Sequence, residues 1–452
     1  MSFPRYRKYK DSGVEWLGEV PEHWDIGPIK RHISKVESGT SVNSADEPAE
    51  NGKLGVLKTS CVYTGVFKPE ENKTVVEDDL ARVSCPLKAG TIIVSRMNTP
   101  ELIGAAGFVE AAPGNLFLPD RLWQISFANS DPRFVHFWTL TNLYRAQVES
   151  VCTGTSASMK NLGQDQFGMF NFASPPINEQ SRIAEFLDRE TGKIDELVAE
   201  QQRLMELLKE KRQAVISHAV TKGLNPRAPM KPSGIEWLGD VPAHWDVMRL
   251  KFAMTLTPGF AFSSGDFVDE GIQLIRIGNL YLNELSLDRD PVFLPPAFES
   301  TYADFVVTSG DLLMSLTGTL GKKDYGYAVL LRSPEKHLLN QRVGRLQCRN
   351  NINQSYAELL LQSDLYTEQI HRLPFGTKQA NLASDDVLGA WIVLPPSTEQ
   401  REIGTYLEQE THDCETLSAE AQKAIDLLQE RRTALISAAV TGQIDVRKLA
   451  AA

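Results

Sequence analysis

The chain carries one pattern twice, and that repetition limits what it can fold into. Residues 12–25 read SGVEWLGEVPEHWD and residues 233–246 read SGIEWLGDVPAHWD, identical at eleven of fourteen positions at an offset of 221. NEQSRIAEFLDRET, from Asn178, returns at an offset of 220 as TEQREIGTYLEQET, from Thr398. KRQAVISHAVT, from Lys211, returns as RRTALISAAVT, from Arg431. Between these blocks lie two stretches of similar length that match weakly. A framework kept in both copies, with inserts that differ, is the layout expected of one geometry used to read two different things.

At 452 residues the chain is long enough for more than one domain. No apolar run approaches the length needed to cross a membrane. The start, MSFPRYRKYKDSG, is basic without an apolar centre, so it is not read as a signal peptide. Cys61, Cys85, Cys152, Cys348 and Cys414 are scattered and odd in number. Their spacing suggests neither a zinc site nor a redox pair, and a reducing cytoplasm is expected. Net charge is −11, which argues against a plain nucleic-acid binder. The imbalance is local, however. Residues 26–177 hold 14 Lys and Arg against 15 Asp and Glu, whereas residues 398–443 hold 4 against 9. Any DNA-binding surface must therefore be local, or a partner must supply part of it.

Each repeat divides into three parts. A tryptophan-rich segment comes first, with Trp16 and Trp24 or Trp237 and Trp245, and its Gly and Pro residues exclude a long helix or strand. A mixed domain follows, with short β-type runs such as residues 91–95 (TIIVS), 122–127 (LWQISF) and 311–315 (DLLMS). It closes on Pro175-Pro176 or Pro395-Pro396. A long helix comes third. Asn178 and Thr398 suit its N-cap, and Glu179 and Glu399 suit the positive end of its dipole. The first seam is Ile183, Leu187, Glu190, Ile194, Leu197, Gln201, Leu204, Leu208, Lys211 and Val215. The second is Ile403, Leu407, Glu410, Cys414, Leu417, Ala421, Ala424, Leu428, Arg431 and Leu435. Spacings alternating between four and three are those of a coiled coil, and each helix should run roughly 60 Å.

The polar seam positions set the orientation. A parallel pairing in register places Glu190 against Glu410 and Lys211 against Arg431. An antiparallel pairing brings Glu190 towards Arg431 and Glu410 towards Lys211, which avoids burying like charges. The expected fold is α+β: two mixed domains joined by two long helices in an intramolecular antiparallel coiled coil, with a pseudo-two-fold repeat. The expected divisions are residues 1–177, 178–222, 223–397 and 398–452.

A search for catalytic constellations finds none: no GxxxxGK[ST], no G-x-G-x-x-G after a strand, no HExxH, no GxSxG and no amino-methyltransferase motif. GTLGKK, from Gly318, has the wrong glycine spacing, and Pro119-Asp120 lacks the Glu-x-Lys a nuclease would add. No metal site is expected. His23 and His244 are read as structural, and the framework tryptophans as packing residues, because a side chain that reads sequence should differ between copies. That logic points to two aligned loops in each mixed domain. One pair is residues 96–100 (RMNTP) and 316–323 (LTGTLGKK); the other is residues 154–162 (GTSASMKNL) and 376–382 (GTKQANL). From these, Arg96, Asn98, Ser156, Lys160, Thr317, Thr319, Lys322, Lys378 and Gln379 are the expected DNA-contacting residues, since their types read base edges or hold phosphates.

With those residues in view, the chain resembles the specificity subunit of type I restriction-modification systems, over essentially its whole length. The markers are the DSGxEWLGxVPxHWD segments, the PP-x-x-EQ-x-x-I helix starts at Pro175 and Pro395, and the doubled long helices. The resemblance implies that each mixed domain is a target recognition domain reading one half of a split, asymmetric site in double-stranded DNA. It implies that the helical rod sets the gap between half-sites, on the order of 34 Å for one duplex turn. It implies as partners two modification subunits, which bring S-adenosylmethionine and methyl transfer, and restriction subunits, which bring ATP, Mg and cleavage. The chain itself would hold no cofactor, would not be an enzyme, would work in the cytoplasm away from membranes, and would bind DNA weakly when alone. An enzyme in its own right, or a coiled-coil scaffold with no DNA role, would be the rival classes.

Overall fold

The computed structural model describes residues 3–50, 52–156, 159–319, 321–373 and 379–449. It forms two compact units, one of Met1–Gln201 with Gln422–Ala452 and one of Gln202–Ala421. Each unit therefore takes one end of each long helix.

In the first unit a four-stranded antiparallel sheet runs in the order Ile33–Glu37, Leu122–Phe127, Thr91–Ser95, Ala106–Val109. The run TIIVS is buried at all five positions because both of its faces are covered. Ile92 and Val94 enter the main core with Phe134, Trp138 and Tyr144. Ile93, pointing the other way, enters a second core with Leu57, Val62 and Leu116. The helices Pro132–Thr139 and Asn142–Val151 pack on the main-core side, and the first begins on an Asp131 cap with proline at its first position. The other side carries three short strands, ordered Leu116–Phe117, Gly55–Leu57, Asn72–Thr74.

The second unit repeats the arrangement. Its antiparallel sheet runs Met254–Pro258, Val343–Cys348, Leu312–Ser315, Ala328–Leu330. Leu312 and Met314 face one core and Leu313 the other. The helices Gln354–Gln362 and Asp364–His371 stand where the first unit has its pair. The outer layer differs, with four short strands in place of three. Gly90 and Gly310, which precede the matched strands, have φ of 74° and 94°, a turn conformation that glycine adopts without a Cβ penalty.

The framework segments form short hairpins, Tyr9–Asp11 with Glu19–Pro21 and Met230–Pro232 with Asp240–Pro242. The chain then tethers each domain to its helix. Asp25–Pro28 pairs with Asn171–Ser174, and Asp246–Arg249 pairs with Trp391–Leu394.

The long helices span Ile177–Lys222 and Ser397–Val440. They begin two residues earlier than the Asn178 and Thr398 caps imply. Pro176 and Pro396 stand just before the first helical residues, and their carbonyls accept from the Gln180 and Gln400 amides, both at 3.0 Å. Proline serves there because its missing N–H would have no helical partner at that place.

Within each unit the start of one helix lies beside the end of the other, so the pairing is antiparallel. In the first unit Ile183, Leu187 and Ile194 share a core with Leu435, Ile436, Ala439 and Val440. In the second, Ile403 and Leu407 share a core with Ile216, Ala219 and Val220. Lys211 reaches Glu410 at 3.3 Å, the expected interhelix pair. The expected Glu190–Arg431 pair does not form. Glu190 binds Arg189 and Lys193 on its own helix at 3.2 and 2.9 Å, and Arg431 is exposed. Arg432 instead reaches across to Asp195 at 2.9 Å. The cause is a one-residue drift of the contact stripe, since a straight helix turns about 20° per heptad away from a strict seven-residue seam. The same drift leaves the seam residues Leu197, Leu204 and Leu417 at 44%, 41% and 47% exposed. It also buries Ile425, which lies outside the expected seam.

Candidate nucleic-acid interface

Each unit brings its two aligned loops together on a small sheet. In the first, Met97–Asn98 pairs with Met159–Asn161, with Lys160 opposite Asn98. In the second, Thr317–Thr319 pairs with Gln379–Asn381, with Thr319 opposite Gln379. A further hydrogen bond closes each pair: the Leu162 amide donates to the Arg96 carbonyl at 2.9 Å, and the Leu382 amide to the Leu316 carbonyl at 2.8 Å. Loops some sixty residues apart in sequence thus become neighbours because both are pinned to the end of the main sheet.

The side chains fare differently. Asn98 is buried and fully committed. It donates to Tyr63 Oη at 2.9 Å and Ser95 Oγ at 3.2 Å, and its Oδ1 accepts the Thr99 amide. Both of its amide hydrogens are spent on holding the turn, leaving no free donor for a base, which runs against the expectation from composition. Arg96 is half-buried, with its guanidinium 5.9 Å from the Trp123 ring centroid and its Nε buried without a hydrogen-bond partner. Lys160, opposite Asn98, is half-exposed. Ser156 lies in the strand Thr153–Ser156, and its side chain lies outside what is described. In the second unit Thr319, Lys322 and Gln379 are exposed and Thr317 is half-exposed. Lys378 lies outside the described residues.

The second small sheet borders a cleft of about 450 Å³ lined by Tyr281, Thr317, Thr319, Asp324, Arg342 and Gln379. Asp324 is engaged by the Thr319 amide, so its carboxylate orders the turn. Tyr281 is 52% exposed, with its ring 5.8 Å from that of Tyr327 in an edge-on arrangement. Sequence reasoning missed Tyr281 and Arg342. Both lie outside the two aligned loops, and only the fold places them at the cleft.

The framework residues serve a different purpose. Glu179 Oε1 accepts Tyr6 Oη at 2.6 Å and the Trp24 indole N–H at 3.2 Å, while its Oε2 meets His23 Nε2 at 2.8 Å. Glu399 Oε2 meets His244 Nε2 at 2.7 Å and accepts the Trp245 indole N–H at 3.0 Å. Trp24 and Trp245 are fully buried. Burial, reinforced by Glu179, pushes the Tyr6 hydroxyl well above its ordinary pKa, so it remains a donor. The adjacent glutamines grip the mixed domain. Gln180 accepts the Asp131 amide and donates to Ser174 and Pro175; Gln400 accepts the Asn353 amide and donates to Asn351 and Pro395. The Glu-Gln pair is therefore a joint. Its glutamate holds the tryptophan segment and its glutamine holds the domain, both at the first turn of the long helix.

Among the described residues no group of His, Cys, Asp and Glu could hold a metal ion, and no helix is long and apolar enough to cross a membrane.

Residues 21–206 and 244–426 each match the family model described as type I restriction modification DNA specificity domain. The chain belongs to this family. It carries two copies of the specificity domain, as its doubled framework requires. Among relatives, the type I restriction enzyme MjaVIII specificity subunit of Methanocaldococcus jannaschii is 22% identical over 436 residues, covering 95% of each chain. The EcoKI specificity subunit of Escherichia coli K12 is 21% identical, covering 94% of this chain and 90% of its own. The fold agrees as well. A chain from structural work on complex assembly and conformational transition of the type I R-M system superposes with a TM-score of 0.69 at 14% identity, over 93% of this chain and 98% of that one. The HsdS subunit from Thermoanaerobacter tengcongensis gives 0.50 at 16% identity, over 94% and 98%.

Proposed function

We propose that this chain is the non-catalytic DNA-recognition subunit of a type I restriction-modification complex and works in the cytoplasm. Each mixed domain reads one half of a bipartite, asymmetric site in double-stranded DNA, and the paired helices fix the distance between halves. The observation that carries this reading is the matched pair of small sheets. The same backbone construction presents Met159 in one unit and Gln379 in the other, both exposed. A constant support with different side chains on it is what a two-part asymmetric target demands.

The acidic balance of the chain supports a complex in which partners supply part of the DNA contact. Two modification subunits would bring S-adenosylmethionine and the methyl transfer, and restriction subunits would bring ATP, Mg and cleavage. Trp16 and Trp237 stand 42% and 46% exposed at the same turn of the two frameworks. Equal apolar anchors in both repeats suit two copies of one partner.

Modified-base sequencing of host DNA, with and without this chain and with modification subunits expressed throughout, tests the reading. The expected result is that one split, asymmetric methylated motif disappears when the chain is removed. An unchanged methylome overturns it.

A further inference from the structure

The two units share one cation at a position that alignment of the reading loops does not reveal. The Arg96 amide donates to the Arg121 carbonyl at 3.1 Å, and the Leu316 amide donates to the Arg342 carbonyl at 2.9 Å. Arg96 and Leu316 are themselves equivalent, because each accepts from the matched leucine of the second loop, Leu162 or Leu382. Arg121 and Arg342 therefore occupy the same backbone position. Each stands one residue ahead of the central strand of its main sheet, Leu122–Phe127 or Val343–Cys348, beside the small reading sheet. Both side chains are exposed, and neither enters an ion pair among the described residues. Arg342 lines the cleft with Thr317, Thr319 and Gln379.

The residues around this position are unalike in the two units. The position of Arg96 is taken by Leu316 in the second unit, that of Met97 by Thr317, that of Lys160 by the buried Ala380, and that of Met159 by Gln379. A side chain that reads a base has reason to differ between two half-sites. A side chain that holds the backbone has none, because phosphate is the same in every sequence. Arginine is also the residue best shaped for phosphate, with a permanent charge and a planar fork of donors. We infer that Arg121 and Arg342 are the paired phosphate contacts of the two recognition domains. Each fixes the register of its domain on the duplex while its divergent neighbours choose the bases. The inference rests on the DNA-reading function proposed above.

The test uses the full chain assembled with its modification subunits and a duplex carrying the motif that modified-base sequencing identifies. Binding is measured across a salt series for wild type, Arg121→Gln, Arg342→Gln, and the lysine variant at each position. Each glutamine variant is expected to bind about tenfold more weakly to matched and mismatched duplexes alike. It should also lower the slope of log K against log salt by about one, with the methylated motif unchanged. Lysine, which keeps the charge, should restore the slope. An unchanged slope, a changed motif, or a loss that lysine does not restore each overturns the inference while leaving the DNA-reading function standing. A wild-type complex that shows no preference for the motif removes that function itself, and the inference with it.

Discussion

Trp24 donates its indole N–H to Glu179 across 155 residues of sequence, and Trp245 does the same to Glu399 across 154. Each glutamate sits in the first turn of a long helix, where negative charge is favoured. In the first unit it also satisfies the buried Tyr6 hydroxyl. Removing it strands two buried donors. Glu179→Ala is expected to cost the chain about 3 kcal/mol, and Glu179→Gln less, since an amide oxygen still accepts one of the bonds. Thermal unfolding of the two variants checks this, and an alanine variant as stable as wild type would show that the joint is not structural.

The interhelix charges are predicted to act at Asp195 and Arg432, not at Glu190 and Arg431. Arg432 meets Asp195 through both Nε and Nη2, at 2.9 and 3.4 Å, but the pair is partly solvated. A double-mutant cycle with Asp195→Asn and Arg432→Gln should give a coupling of about 0.5 kcal/mol that fades with salt. The same cycle on Glu190 and Arg431 should give none. Coupling at the second pair and not at the first would reverse the register found here.

Much of this was legible in the sequence, for physical reasons. The repeat and the four-three spacing revealed the helices, and like charges at equivalent seam positions gave their direction. TIIVS and LWQISF appear as strands because β-branched and aromatic runs between turns have little else to do. Divergence between copies singles out two loops in each mixed domain, and the fold sets them side by side. What stayed hidden depended on three dimensions. Asn98 has the composition of a base reader, yet Tyr63 and Ser95 claim it. The Glu190–Arg431 pair fails on a drift of one residue. Arg121 and Arg342 lie outside the loops that divergence singles out, and become equivalent only through backbone hydrogen bonds.

Acid should weaken the first unit through His136. Its Nε2–H donates to the Gly65 carbonyl at 2.7 Å, and burial pushes its pKa down to about 4. The folded state therefore holds the ring neutral, whereas the unfolded chain protonates it near its ordinary value of about 6.5. The contribution is complete above about pH 6.5 and is lost as pH falls towards about 4, amounting to about 3 kcal/mol across that window. Asp188, raised by burial, acts in the opposite direction. The comparison is therefore between wild type and His136→Gln, each unfolded in urea from pH 7.5 to 4.5. The variant should lose less stability over that range than wild type, and parallel curves would show that the ring does not titrate with unfolding.

Specificity should change one half-site at a time. Gln379 is exposed at the mouth of the second cleft, opposite Thr319, and its amide has the donor and acceptor pair that matches adenine in the major groove. Gln379→Ala removes that pair without touching the joint at Glu399 or the first unit. Discrimination at one base of one half-site should fall by about 1–3 kcal/mol, roughly tenfold to a hundredfold. The other half and the spacing should stay as they were. Modified-base sequencing reads this directly, as a motif relaxed at a single position. A motif unchanged in both halves would remove Gln379 from the reading surface. A motif altered in both would mean that the two domains do not read independently.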